Sequence, residues 1–234
     1  MKTTTKAALY GSAGVLAGAA GAAAYKKTVR PRLLSWGATD HELDRVWPSD
    51  RLLPDDVAFE ATRAITVHAP AETVWRWVVQ IGQDRAGFYS YDWIENLFGL
   101  DVDNVLEVVP EFQDRDEGDV VWMASPDRFG GKARVIVGLL EPERTMALIG
   151  PEDADAVARG EEAEHGFWAF QVEPIDDEMC RLVMRTRSAR NPGLGERAAQ
   201  LLFWELADFI MERKMMKTIK TLAEEEELAL AEKA

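Results

Sequence analysis

Three carboxylates, Glu205, Asp208 and Glu212, recur at spacings of three and four in GERAAQLLFWELADFIMERKMMKTIKTL, residues 195–222. On a helix that spacing puts them in one row. Two phenols, Tyr89 and Tyr91, stand in the aromatic-rich stretch RAGFYSYDWIENLFGL, residues 85–100. A carboxyl group withdrawn from water keeps its proton to higher pH, and a nearby phenol can hydrogen-bond a developing enolate. In an apolar cavity, Glu212 or Glu205 with Tyr89 or Tyr91 could therefore cyclise or dehydrate a carbonyl compound by general acid–base work. Arg185, Arg187 and Lys214 offer partners to the same acids, so structural ion pairing is the competing reading.

Other chemistries are absent as patterns. There is no G-x-S-x-G, no G-x-x-x-x-G-K-[ST], no H-E-x-x-H and no G-x-G-x-x-G. His41, His68 and His165 are far apart and have no ligand spacing, so neither a metal nor a cofactor is expected. His165, just before GFWAFQVE, is either a surface histidine or one at a pocket mouth. The single cysteine, Cys180, allows no internal disulfide and reads as a small core residue. The formal charge is −14. All six bases of the first 35 residues are unopposed, which leaves 21 bases against 41 acids in the rest. Such a body repels nucleic acid.

The elements that must position these groups begin with the long helix itself. It has no internal Pro or Gly and spans roughly 40 Å over 195–222. Leu202, Leu206, Phe209 and Ile210 share one side of its first half, opposite the acids. In the second half Met215, Met216, Ile219 and Leu222 continue the acidic row, while Arg213, Lys217 and Lys220 take the formerly apolar side. Either the two halves pack on different surfaces, or the carboxylates point inward. The first is expected, because Asp and Glu are rarely buried unless paired or used.

Upstream, residues 7–25 form a run of 19 uncharged, Ala- and Gly-rich residues, about 28 Å as a helix and close to the thickness of a bilayer core. Gly14 and Gly18 form a G-x-x-x-G. A membrane anchor is the expectation; a signal peptide or an ordinary helix are the alternatives. Four bases follow the run and two precede it, which places the main domain in the cytoplasm. Residues 33–60 read as a connector packed on the domain.

A half-buried strand follows at Ala61–His68, then a helix opening at Ala69-Pro70 with Val74, Trp75, Val78, Val79 and Ile81 buried and Gly82 closing it. Asp92 and Glu95 have capping-box spacing for a second helix, with a ligand-facing or catalytic role as the alternative. Strands are expected at 105–112, 119–123, 132–140, 145–149, 166–173 and 180–187, with turns at hairpin spacing. Glu224–Glu227 begins a charged tail expected to fray. Strand, two helices, about six strands and a long helix make an α+β domain.

This order, with APAETVWRWVVQIGQDRAGFYSYDWIENLFGLD, the connector piece WGATDHEL and the late FIMERKMM, resembles the START-like or Bet v 1-like helix-grip superfamily, in the SRPBCC and polyketide-cyclase group. The resemblance covers Trp36 to Ala223. It implies a curved antiparallel sheet of six to seven strands around the C-terminal helix, with a helix-grip domain over 61–224, an anchor over 1–32 and an acidic tail over 225–234. It also implies a deep cavity for a hydrophobic or amphipathic small molecule such as a lipid, isoprenoid or polyketide-like compound. Tyr89, Tyr91, Trp93, Trp122, Trp168, Phe170, Met211 and Glu212 are the residues expected to line it. Members include carriers, receptors, cyclases and dehydratases without a shared catalytic set. The sequence is thus read as a membrane-tethered, cofactor-free binding domain at the cell membrane, with a cyclase or dehydratase using Glu212 and Tyr91 as the alternative. It does not speak to oligomeric state.

Overall fold

The computed structural model describes residue 21, residues 23–189 and residues 205–232. Most of the expected anchor run over 7–25 and the head of the long helix, Leu202 included, lie outside them. Among the described residues no helix is long and apolar enough to cross a membrane.

Six strands form one antiparallel sheet: β1 (Phe59–Val67), β2 (Val120–Trp122), β3 (Arg134–Glu141), β4 (Thr145–Ile149), β5 (Gly166–Pro174) and β6 (Cys180–Ser188). Their order is β1-β6-β5-β4-β3-β2. Period-two alternation sorts each strand between two faces. On β6, Cys180, Leu182 and Met184 enter the main core, and Arg181, Arg185 and Arg187 turn the other way. On β5, Phe170 and Val172 face the main core, while Phe167 and Ala169 face a second one. Gly138 lies at the register break of β3, where a Cβ would meet Ile149 at 2.8 Å.

The inner face is covered by helix α3 (Ala71–Val79) and by the C-terminal helix α6, described over Glu205–Ala231. Val74, Trp75, Val78, Val79 and Ile81 are buried as their spacing predicts, and Thr73 and Trp77 join them. Helix α4 (Asp92–Leu97) follows, but Tyr91 is its N-cap and no capping box forms between Asp92 and Glu95. The strand expected at 105–112 is a loop ending in a 3-10 turn, Pro110–Phe112. Pro110 has no N–H to give a ladder, and the buried side chain of Gln80 takes up the neighbouring backbone groups instead.

The outer face is covered by the connector. Helices α1 (Arg30–Leu34) and α2 (Asp40–Asp44) lead into a 3-10 turn, Pro48–Leu52. Gly37 crosses β1 so closely that a Cβ there would meet the Ala64 carbonyl at 2.0 Å. Leu52 and Leu53 pack on Leu139, Ala147, Ile149, Phe167 and Ala169, and Trp47 packs on Ala64 and Val183. Ion pairs then fasten the connector to the outward bases and acids of the sheet, among them Glu42 with Arg181 at 2.7 Å, Arg45 with Glu173 at 2.6 Å, and Asp50 with Arg185 at 2.8 Å.

Helix α6 departs from its expected packing. Met215, Met216, Ile219 and Ala223 bury against the sheet, but in the first half the acids turn inward and Leu206 and Ile210 are exposed. Glu205 is 2% exposed and forks onto Arg30 at 2.8–3.1 Å; Glu212 pairs with Arg63. Only Asp208 of the row stays at the surface. The preference for two separate packing surfaces is therefore corrected: one face is kept, and partners from elsewhere in the chain neutralise its acids. The acidic run also remains helical, and α6 continues to Ala231. Glu224 accepts from the His68 backbone, Glu226 from Trp77 Nε1 and Arg76, and Glu227 from the Thr73 hydroxyl, so it is docked on α3.

Candidate functional site

The inner face is polar at its β1 edge, where the sheet pairs Arg63 of β1 with Met184 of β6, and Met184 with Phe170 of β5. One step along, Ala61, Thr186 and Trp168 form the next row. Arg63 lies in the inward half of β1 and is 2% exposed. Its Nε donates to the Leu33 carbonyl at 2.9 Å and its Nη1 to Glu212, while Nη2 has no partner among the described residues. Burial holds the Glu212 proton to higher pH than an ordinary glutamate; the charge of Arg63 opposes that, and nearby Asp208 adds to it. The Phe209 ring lies 5.8 Å from the Arg63 guanidinium, and Trp36 meets Phe209 edge-on at 6.4 Å.

Aromatic walls adjoin this pair. Trp168 lies 4.7 Å from Phe170 and 6.4 Å from Phe88, and its buried Nε1 has no acceptor among the described residues. Above them the Ser90 hydroxyl donates to the Met211 carbonyl at 3.0 Å, which ties the start of α4 to the middle of α6. Tyr91 is half-buried there, with the Lys214 ammonium 5.8 Å from its ring. Glu212, Met211, Tyr91, Trp168 and Phe170 are thus arranged around one stretch of α6 and the sheet beneath it. Arg63, Ser90 and Thr186 belong with them, though nothing in their sequence context marks them out.

Tyr89 is placed differently. It is fully buried, its hydroxyl accepts from Gln80 Nε2 at 2.6 Å, and its ring stands edge-on to Trp77 at 5.9 Å. Burial raises its pKa. Gln80 also donates to the Glu107 carbonyl and accepts from Val109 N–H and Gln113 Nε2. This side chain therefore has its whole hydrogen-bonding capacity used, and Tyr89 is a member of the core rather than a free phenol.

Trp93 and Trp122 do not join the inner-face cluster. Trp93 is 65% exposed on α4. Trp122 follows the core residue Val121, so alternation turns it to the outer face, where Arg134 lies 5.7 Å from its ring. His165 is exposed and bonds the buried Asp153 at 2.9 Å, an arrangement that raises the histidine pKa and lowers that of the aspartate. Burial pushes the Cys180 thiol up to about 12, as befits a core cysteine.

Glu95, for which the sequence favours a capping role over a ligand-facing or catalytic one, does not cap α4. It is 6% exposed, and its Oε2 has no partner among the described residues. Burial, with Asp92 beside it, pushes its carboxyl up to about 7. Its backbone N–H bonds the Tyr91 carbonyl, so phenol and carboxyl stand one helical turn apart.

The deep cavity expected beneath the whole of α6 is not open along its C-terminal half, where Met215, Met216, Ile219 and Ala223 fill the space. Elsewhere, a cavity of about 530 Å³ lies at the far end, between His68, Met179, Glu224 and Leu228. A smaller one of about 350 Å³ lies between α3 and the end of β3.

No protein-family model matches the chain, and no curated protein matches its sequence. Solved structures with a similar course of the chain include the ZhuI aromatase/cyclase of Streptomyces sp. R1128, 17% identical, covering 71% of this chain and 93% of that one with a TM-score of 0.40. Norcoclaurine synthase of Thalictrum flavum is 14% identical, covering 74% of this chain and 99% of that one, TM-score 0.39. A Polyketide_cyc-like protein of Corynebacterium glutamicum is 15% identical, covering 73% and 93%, TM-score 0.34. Similarities of that size carry no substrate or residue role across. By its own strand order and its long closing helix, the chain has the helix-grip fold of Bet v 1-like proteins.

Proposed function

We propose that the domain binds a hydrophobic or amphipathic small molecule between the inner sheet face and the first half of α6. The observation that carries this is a pair of buried donors without acceptors, Arg63 Nη2 and Trp168 Nε1, beside Phe88, Phe170 and Met184. Buried polar atoms in a filled core find partners. Unmet donors among aromatic walls suit a guest with an acceptor oxygen on an apolar body. Organic extraction of the purified full-length chain, followed by mass spectrometry, tests it. A co-purifying apolar compound, depleted in Trp168→Phe, is the expected result. A chain that carries none and takes up no apolar fluorescent probe ends the reading.

The second reading is a cofactor-free cyclase or dehydratase. Glu95 favours it more than Glu212 does, because Glu212 is engaged by Arg63 while Glu95 has no partner among the described residues and titrates near neutrality. Turnover of a polyketide-like ketone that survives both Glu95→Gln and Tyr91→Phe would remove it.

The proposal keeps the tether over residues 7–25, with the domain on the cytoplasmic side of the cell membrane. The chain emerging from that run docks through Arg30 on Glu205, at the end of the sheet where β2 gives way to β3. Exposed Phe129 lies in that connection, and exposed Leu97 and Phe98 reach it through the Leu100–Ser125 backbone bond. Fractionation of the full chain into membranes, lost on removal of residues 1–24, is the expected outcome; equal solubility of both forms would count against it.

A further inference from the structure

Large apolar side chains left in solvent gather at one corner of the molecule. Trp93, Leu97 and Phe98 belong to α4 and its C-cap, Phe129 belongs to the connection between β2 and β3, and each is more than half exposed. The Ser125 N–H bonds the Leu100 carbonyl at 3.0 Å, which sets the two segments side by side. Trp93 and Leu97 are one helical turn apart and share a side of α4. Phe129 has a φ of 51°, in the left-handed region that a residue with a Cβ adopts only at a cost to stability. That cost secures no burial, because the ring stays in solvent.

Charge and chain direction both say what covers this corner. Arg128, Lys132 and Arg134 stand exposed in and beside the β2–β3 connection against one acid there, Asp127. Asp92 and Asp101 are the exposed acids on the α4 side. The strongly acidic connection between β4 and β5 starts from the same end of the sheet but is folded back on the outer face, where Val157 packs with Leu139 and Phe167. The corner is thus locally basic in a chain of charge −14. The uncharged run over 7–25 also leads away from this end: Arg30 docks on Glu205 at the start of α6, and two turns on the Ser90 hydroxyl ties α6 to the start of α4. Exposed aromatic rings beside bases fit the headgroup layer of a bilayer, where tryptophan is enriched and anionic lipids attract Lys and Arg.

We propose that this corner, Trp93, Leu97, Phe98 and Phe129 with the bases around Phe129, is a contact surface for an anionic lipid bilayer. It rests on the tether reading only for the direction in which the chain leaves the domain. The surface itself is built by α4 and the β2–β3 connection, and gives the domain a fixed face toward the membrane.

Residues 25–234 keep the Arg30–Glu205 pair and every connector contact to the sheet described above, so they separate this surface from the tether. Cosedimentation with vesicles of phosphatidylcholine, alone or with about 30% phosphatidylglycerol, at about 0.1 M salt is the measurement. About half of the chain is expected to bind the anionic vesicles at roughly 1 mM lipid, and the neutral ones at least about fivefold more weakly. Binding of that strength is reversible and is washed out in fractionation, unlike a tether. Trp93→Ser with Phe129→Ser, both at exposed positions, is expected to weaken partition about tenfold, while Leu228→Ser with Leu230→Ser, exposed at the far end of α6, should change it by less than about twofold.

No binding of residues 25–234 at about 5 mM anionic lipid overturns the proposal. So does equal partition of the Trp93 and Phe129 variant, or a lipid-free dimer that this variant dissolves, which would assign the corner to a second copy of the chain. Vesicle binding by residues 25–234, with the full chain fractionating no more into membranes than they do, sustains the surface and sinks the tether. A full chain that fractionates with membranes while residues 25–234 bind no vesicles sinks the surface and leaves the tether.

Discussion

Glu212 reaches from α6 to the buried guanidinium of Arg63 on β1, a partner 149 positions away in the chain. Neither residue makes sense alone. An arginine on the inward side of an edge strand and a glutamate on the buried side of a helix each carry a large desolvation cost, and each offsets the other's.

Removing one member should therefore be much worse than removing both. Arg63→Met is expected to lower unfolding stability by about 3–5 kcal/mol in urea titrations. Glu212→Gln should cost less, since its amide can still accept from Nη1. The double variant Arg63→Met with Glu212→Met should recover a large part of the loss. Additive costs in this cycle would mean that the pair is not coupled.

Gln80 is the second structural hub. Gln80→Leu withdraws bonds from the Tyr89 hydroxyl, the Glu107 carbonyl, the Val109 N–H and Gln113 together. Leaving several buried groups unpaired should cost roughly 3 kcal/mol or more, while Tyr89→Phe, which removes one acceptor, should cost about 1. Equal losses in the two variants would show that the loop over 105–113 is held by something else.

Glu95 gives a pH signature of definite sign. Its folded pKa of about 7 exceeds that of an unfolded glutamate, so between about pH 4.3 and 7 the folded chain binds the extra proton and stability falls as pH rises. Glu95→Gln carries no such penalty. Its advantage over the unmodified chain should grow from under about 1 kcal/mol at pH 4.5 to roughly 3 kcal/mol at pH 8. A difference that stays constant across that range would show that Glu95 is not held protonated by the fold.

His165 and Asp153 act in opposite directions. The raised histidine pKa gives stability that is complete below the unfolded value of about 6.5 and is lost as pH rises through the folded one; the lowered aspartate pKa gives stability present above about pH 3.9 and lost as pH falls. Both contributions coexist only between those values. The melting temperature of His165→Asn should fall furthest below the unmodified chain near pH 5.5, with the gap closing by pH 8.5. A gap widest at pH 8.5 would refute the assignment.

Periodicity was enough for much of the architecture. Val74, Val78, Phe170 and Leu182 alternate or recur as buried residues must, and the α+β order follows from them. What could not be read locally was pairing over distance. The acids of α6 look like a solvated stripe until Arg30 and Arg63 are brought beside them, and Glu224–Glu227 looks like a fraying tail until α3 presents Thr73, Arg76 and Trp77. The same limit hid Glu95, whose spacing to Asp92 imitates a capping box while Tyr91 takes the cap position. Of the residues now around Glu212, Trp168, Phe170 and Met211 were expected there from the resemblance to helix-grip proteins, whereas Arg63 and Ser90 needed the sheet register and the Met211 contact.

The outer face of the sheet has its own consequence. Leu139, Ala147, Ile149, Phe167 and Ala169 are kept from water by Leu52 and Leu53, and the three basic side chains of β6 are neutralised by Glu42, Asp50 and Glu60. A polypeptide cut just before β1 would keep every strand and the closing helix and still expose a greasy, cationic slab. The smallest piece able to fold and stay dissolved therefore begins no later than Arg30, the partner of buried Glu205, and the connector is a structural layer of the domain.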